Sequence, residues 1–461
     1  MFKRLCAALA TLVLVLALTP TFALAETIDL ESISVKHIIV IDEDSGATLL
    51  EKDADSKAYP ASTTKIMTAL VALENGNLDD EVTVGEEVWR GFGDKSSLMG
   101  LSEGEKITLK DLLYGMLLVS GNDAGAAIAV HIGGSISGFV DMMNQKAQEL
   151  GMTGTHYMNP HGLHDEEHYT TARDMAVLAR AAMQNETFRK IVGTKTYEVK
   201  PTNRDSDGYQ LETSNKLRYT HEGKQSYEYP YATGIKTGDT NQALRCLVAS
   251  AEKDGVKLIT VLLCDEDQDN RFTVAKNLFD WCFANCLKVD ASTLGLPTTV
   301  DQTVSNASFE DPQNGVLTLN ADLTGKTISG LKEEIEDIKA NIASVKLVPV
   351  LNDKLAAPVA EGQVVGTVAY QYNGSTLFSA DLVASRSVAG IDTAVLSPSS
   401  SPLITGTNAP KNNSSPLLFW ILVILLVVII FCVIKIAQRK RQRRRGARRR
   451  RMASSRGGYK R

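Results

Sequence analysis

PASTTKIMTALVAL, residues 60–73, places a serine and a lysine at the head of an apolar helical pattern. Residues three apart share one helix face, so the ammonium of Lys65 lies one turn from the hydroxyl of Ser62. A serine hydroxyl is a weak nucleophile until a neighbouring base takes its proton. Lysine can be that base where desolvation or a nearby positive charge keeps it neutral. Taken alone, S-x-x-K is a frequent tetrapeptide, and the blander reading is a surface helix start. Two further triplets change its weight. Ser120-Gly121-Asn122 follows TLKDLLYGMLLV 58 positions after Ser62, and on its own reads as a helix–turn–helix connection with Asn122 as N-cap. Lys236-Thr237-Gly238 lies 116 positions beyond Ser120 in YATGIKTGDT, on its own a turn at a strand end. What lifts all three above their separate readings is their order and spacing along one chain.

On these motifs the chain resembles the D-alanyl-D-alanine carboxypeptidases, the low-molecular-mass penicillin-binding proteins. DLLYGMLLVSGNDAGAAIA, FVDMMNQKAQELGM, NPHGLHDEEHYTTARDMA and GIKTGDTNQALRCLVASA extend the resemblance over residues 30–290, and APVAEGQVVGTV (357–368) resembles the family's C-terminal β domain. The resemblance implies an α/β (α+β) domain of the β-lactamase/transpeptidase type and no cofactor or metal. It also implies peptidoglycan stem peptides as substrate and β-lactams as inhibitors. By the same resemblance Ser62 attacks the carbonyl of the penultimate D-alanine, Lys65 is its base, and Ser120 relays the proton to the leaving D-alanine. Asn122 holds the substrate amide and Lys65. Lys236 and Thr237, with Gly238 completing the motif, receive the terminal carboxylate. The backbone N–H groups of Ser62 and Asp239 form the oxyanion hole. Two positions depart from the pattern. Asp239 puts a carboxylate beside a carboxylate site, which predicts lowered affinity, and Leu244 stands where relatives commonly carry glycine, which predicts an altered turn.

The residues themselves predict the same architecture. Ile38–Ile41 and Thr48–Glu51 flank Asp44-Ser45-Gly46, and Leu244–Ala251 and Val256–Leu263 flank Lys253-Asp254-Gly255; both read as hairpins. Between them run helical patterns over Thr63–Leu73, Thr108–Val119, Ala124–Ile132 and Ser137–Leu150, with T-x-x-D capping spacing at Thr108/Asp111 and Thr171/Asp174. Strands at both ends with helices between predict one antiparallel sheet carrying a helical subdomain over 26–290. Beyond it, β-like runs at Val316–Leu319, Val345–Val350, Gln363–Gln371 and Leu377–Val383, with one helix pattern at Glu333–Ala343, predict a small all-β domain over 291–395. Residues 396–416 have linker composition.

The ends read as address labels. Lys3 and Arg4, apolar Leu5–Leu18 and Ala23-Leu24-Ala25 make residues 1–25 a secretory signal peptide. Residues 417–434 are 18 consecutive apolar positions, about 27 Å as a helix and enough to cross a bilayer. The tail 435–461 holds 14 Lys or Arg and no Asp or Glu, so it is the cytoplasmic flank of a single-pass plasma-membrane protein whose catalytic domain is extracellular. Setting those 14 and the two leader cations apart from the net −5 leaves −21 on residues 26–434. So acidic a body does not bind nucleic acid on electrostatic grounds. Of six cysteines, Cys246, Cys264, Cys282 and Cys286 lie in the body without C-x-x-C spacing and are read as unpaired thiols.

Competing sites are weaker. His164-Asp165-Glu166-Glu167-His168 matches the inverted zinc-protease motif, but Pro160, Gly162 and the capping pair at Thr171 make the segment a loop, where two ligands lack a common helix face. Thr324-Gly325-Lys326-Thr327 lacks the first glycine of a phosphate loop, with Asn320 in its place. A serine β-lactamase would share the three motifs, but no E-x-x-L-N segment stands between Ser120 and Lys236 to supply its hydrolytic water. A non-catalytic peptidoglycan-binding or sensor protein would not need Ser62, Lys65, Ser120 and Lys236 intact.

Overall fold

The computed structural model describes residues 28–391, apart from Arg90, Asp94, Lys95 and His221. Its centre is an antiparallel five-stranded sheet in the order β2-β1-β9-β8-β7. The chain lays down β1 (His37–Asp42) and β2 (Thr48–Lys52), leaves for a long helical excursion, and returns as β7 (Ala232–Thr240), β8 (Leu244–Lys253) and β9 (Val256–Asp265). Short ribbons β3 (Glu81–Thr83) with β4 (Lys106–Thr108), and β5 (Thr196–Val199) with β6 (Tyr209–Glu212), brace the excursion.

Both faces of the sheet are covered, and the two-residue period of a strand decides which side chain meets which layer. Ile39, Ile41, Ile259, Val261 and Leu263 face one core with Ile66, Met67 and Leu70 of helix Lys65–Asn75 and Met175 and Leu178 of helix Ala172–Met183. The alternate residues Ile38, Val40, Leu258 and Leu262 face Phe272, Leu278 and Phe279 of helix Asn270–Asn285. This double burial explains why β1 is apolar at consecutive positions. Both expected caps form: Thr108 and Thr171 accept from the N–H groups of Asp111 and Asp174 and start helices Leu109–Leu118 and Ala172–Met183. Helices Asn122–Gly133, Ile136–Glu149 and Glu186–Val192 complete the helical layer.

The second module holds a five-stranded sheet ordered β11-β12-β16-β15-β14 and a pair β10-β13. Its strands are β10 (Cys286–Asp290), β11 (Thr299–Thr303), β12 (Val316–Asp322), β13 (Thr327–Leu331), β14 (Lys346–Leu351), β15 (Val364–Tyr372) and β16 (Ser375–Ala384), with one helix at Lys332–Ala340. Strand β10 starts before the boundary expected at 290, because Leu287 and Val289 pack into this module's core and their backbone pairs with β13. Strands β10, β11 and β13 carry weak patterns. β11 is TVDQT, half-exposed along its length, and β13 contains Gly330 against Ile335.

The expected signal peptide, the linker 396–416, the apolar stretch 417–434 and the basic tail lie outside the described residues. Among the described residues no single helix is long and apolar enough to cross a membrane.

Candidate active site

A 3₁₀ helix, Ala61–Thr64, delivers Ser62 to the head of helix Lys65–Asn75. The turn into it is sharp: Ala61 has φ +48°, a left-handed conformation that alanine adopts only under restraint. Both threonines of S-T-T-K supply that restraint. The hydroxyl of Thr63 donates to Pro60 O at 2.7 Å and that of Thr64 to Ala61 O at 2.8 Å. Behind Ala61 runs the loop 159–163, tied down by Thr68 Oγ1 donating to Pro160 O (2.6 Å) and by Gly162 N donating to Asn159 Oδ1 (2.7 Å).

Lys65 is wholly buried at 0% exposure. Its Nζ reaches Ser62 Oγ at 2.9 Å, Asn122 Oδ1 at 2.7 Å and the backbone carbonyl of His161 at 2.7 Å. Burial first, and the charge of Lys236 second, hold its pKa well below the usual lysine range, with Asp123 opposing them. A neutral amine in contact with a serine hydroxyl is what the base role requires. Asn122 opens helix Asn122–Gly133 and Gly121 takes the cap position, so Asn122 spends its side chain on Lys65 instead of on the helix end. Ser120, buried and at φ +63°, stands two residues before it. Asp123 fixes the facing loop by accepting from the N–H groups of Met99, Gly100 and Leu101.

The K-T-G residues occupy β7, the sheet edge, where alternate backbone groups have no partner strand. Gly238 lets this strand close on the turn that carries Ser62, since a Cβ there would lie 2.9 Å from Pro60 O. Lys236 is 1% exposed, and burial followed by the charge of Arg271 brings its pKa down to about 7. Arg271, itself buried, donates from Nη1 to Gly238 O at 2.7 Å and Cys246 O at 3.2 Å. Thr237 Oγ1 lies 3.2 Å from Ser214 Oγ. The carboxylate of Asp239 is offset by Arg245, whose Nε is 3.4 Å from Oδ2. Leu244 adopts φ +57°, so the turn keeps the glycine-type conformation and the leucine bears the strain.

Hydrogen bonds thus join Ser62, Lys65 and Asn122 directly, and electrostatics couples Lys236 to Lys65. Sequence reasoning missed the carbonyl of His161, the threonine hydroxyls, Ser214 and Arg271. The zinc-like segment 164–168 is a loop. The ring of His168 is occupied by Thr64 Oγ1 on Nε2 (2.8 Å) and by Met158 N on Nδ1 (3.1 Å), and that of His164 packs edge-on against Tyr59. The four body cysteines are unpaired.

Comparison with known proteins gives a consistent picture. The family described as D-alanyl-D-alanine carboxypeptidase matches residues 24–267, and the penicillin-binding protein 5 C-terminal domain matches residues 331–389. The chain is 30% identical over 354 residues to the D-alanyl-D-alanine carboxypeptidase DacF of Bacillus subtilis, covering 76% of this chain and 84% of that one. It is 33% identical over 361 residues to DacA of Haemophilus influenzae, again 76% and 84%. The crystal structure of penicillin binding protein 5 from Haemophilus influenzae superposes with a TM-score of 0.60 at 32% identity, covering 79% of this chain and all of that one.

Proposed function

The chain belongs to the D-alanyl-D-alanine carboxypeptidase family, and from that premise we propose that it removes the terminal D-alanine of peptidoglycan pentapeptides through an acyl-enzyme on Ser62. The observation that carries the assignment is the contact of 2.9 Å between Ser62 Oγ and the Nζ of Lys65, whose pKa burial and the charge of Lys236 hold well below the usual lysine range.

The chemistry follows from the groups present. Lys65 Nζ takes the Ser62 proton as Oγ attacks the carbonyl carbon of the penultimate D-alanine. The oxyanion that develops is met by the N–H groups of Ser62 and Asp239, donors placed where charge appears only in the transition state. Ser120 carries the proton to the departing amine, and D-alanine leaves. Water then attacks the ester, Lys65 again serving as base, and Ser62 is restored. Lys236, protonated, and Thr237 hold the substrate's carboxylate, where a cation and a hydroxyl suit the charge. Gly238 keeps the strand close enough for both. A β-lactam stops at the acyl stage. No step calls on a metal or cofactor.

The protein is proposed to sit in the plasma membrane by residues 417–434, with its catalytic module outside and tail 435–461 inside, the β module acting as a stalk. The basis is the apolar run with its one-sided basic flank.

The test is D-alanine release from a pentapeptide by the full-length protein and by Ser62→Ala and Lys65→Ala. Each variant is expected to lose activity by at least about 10³-fold. A Ser62→Ala enzyme with near-parental turnover would sink the assignment. For placement, intact cells treated with protease should lose the catalytic module and keep the tail; a protected catalytic module contradicts it.

A further inference from the structure

We propose that Thr64 and His168 are positioning residues for the reaction, orienting the Ala61–Ser62 peptide so that the N–H of Ser62 points at the oxyanion. The inference rests on the assignment of Ser62 as nucleophile and of its N–H as an oxyanion donor.

The geometry is a one-way relay of three hydrogen bonds. Met158 N–H donates to Nδ1 of His168 at 3.1 Å, so that nitrogen carries no proton in the neutral ring and the hydrogen resides on Nε2. Nε2–H then donates to Thr64 Oγ1 at 2.8 Å, and Thr64 gives its own proton to the carbonyl oxygen of Ala61 at 2.8 Å. His168 is 2% exposed and Thr64 fully buried, so each bond is made in a low-dielectric setting where successive donors strengthen one another.

The end of the relay matters because of what shares its peptide. The carbonyl of Ala61 and the N–H of Ser62 belong to a single planar amide, and that bond is trans; the two groups therefore point in opposite directions. Fixing the oxygen from behind aims the hydrogen forward. The N–H of Ser62 lies in the first turn of its helix and has no intrahelical acceptor. The restraint acts where it is needed, since Ala61 at φ +48° is held outside its ordinary conformations. The second oxyanion amide is built alike. Its carbonyl, Gly238 O, is held by Arg271 at 2.7 Å, and its N–H belongs to Asp239.

The surroundings keep the relay in its working state. Burial above all lowers the pKa of His168 to about 4; Asp165 opposes this, and His156, His164 and Lys65 add to it. Tyr157 covers the ring edge-on with centroids 5.5 Å apart. The imidazole is therefore neutral from mild acid upward. A proton on Nδ1 would set that nitrogen against the N–H of Met158.

The test uses the full-length protein, an isosteric loss and two imidazole mimics. Thr64→Val removes the hydroxyl; Thr64→Ser keeps it. A glutamine amide can replace the Nε2–H donor, whereas an asparagine reaches only the position of Nδ1. Penicillin acylation is resolved into a non-covalent Kd and a first-order acylation constant, alongside kcat and KM for D-alanine release. Thr64→Val and His168→Asn should lower the acylation constant by roughly tenfold or more, with Kd and KM within about twofold of the parent. Thr64→Ser and His168→Gln should recover most of the rate. The double variant T64V/H168N should be no slower than T64V alone, because both cut one relay. Rates are normalised to folded protein, so poor folding of one variant does not imitate the effect. Parental acylation by T64V, a rate loss in H168Q equal to that in H168N, or strictly additive losses would overturn the proposal. A Ser62→Ala protein that still forms the adduct would instead overturn the assignment beneath it.

Discussion

A methyl group on Gly162 would stand 1.8 Å from the carbonyl oxygen of Ala61, and Gly162 itself has φ +86°. The loop that supplies the His161 carbonyl to Lys65 thus presses on the residue before the nucleophile. Only hydrogen fits between them. Gly162→Ala must displace backbone on one side or the other, since no rotamer relieves a clash with a carbonyl. It is expected to cost about 2–4 kcal/mol of stability and at least about 10²-fold in acylation, as a 1 Å misplacement does. Urea unfolding and penicillin acylation of the variant measure both. Parental rates would show that the loop does not brace the turn.

The two buried lysines give the pH dependence its shape. Lys65 must be neutral to accept a proton, so kcat/KM falls on the acid side as Lys65 gains its charge. Lys236 must be charged to hold a carboxylate, and its pKa of about 7 makes kcat/KM fall as pH rises through that value. A bound carboxylate raises the Lys236 pKa, so the alkaline limb of kcat lies at higher pH than that of kcat/KM. Steady-state kinetics from pH 5 to 10 checks this, and coincident alkaline limbs would contradict it.

Asp239 introduces the local negative charge that Arg245 offsets at 3.4 Å. Removing the guanidinium leaves the carboxylate to repel the substrate's own. Arg245→Ala should therefore raise KM about threefold with kcat little changed, a modest effect because the pair is partly exposed. Asp239→Asn should reverse the loss in the double variant. An equal KM increase with asparagine at 239 would mean that Arg245 acts otherwise.

Leu244 holds the β7–β8 turn at φ +57°. A left-handed conformation costs an L-residue about 1–2 kcal/mol, and glycine gives back about 0.5–1 kcal/mol through its freer unfolded chain. Leu244→Gly should then raise stability by up to about 1 kcal/mol, and Leu244→Val should lower it by about as much. Urea midpoints with unchanged slopes report both. A glycine variant less stable than its parent would show that leucine's packing outweighs the strain.

How much of this was legible in the sequence depends on what kind of group does the work. Ser62 and Lys65 were readable because a helix fixes their spacing, and Asn122 and Lys236 because their motifs follow in order. The hairpins announced themselves through Asp44-Ser45-Gly46 and Lys253-Asp254-Gly255. The carbonyl of His161 could not be found, because any residue type offers a carbonyl and only the fold brings this one to Lys65. Arg271 and His168 are far in sequence from the amides they help to orient, and buried polar residues leave no periodic trace. The left-handed Ala61 and Ser120 went unseen for the opposite reason: such positions are inferred from glycine, and neither is glycine; Leu244, noted as a glycine position, keeps the left-handed turn that its side chain was expected to alter. In the β module, strands such as TVDQT were missed because an exposed, polar edge hides the two-residue period.

The central claim is that Ser62, activated by Lys65, carries the acyl group. Peptide mapping of the full-length protein after exposure to labelled penicillin tests it most directly. One label per chain is expected on the peptide containing Ser62, none in Ser62→Ala, and acylation slowed by at least about 10³-fold in Lys65→Ala. A label on another residue, or undiminished labelling of Ser62 in Lys65→Ala, would contradict it.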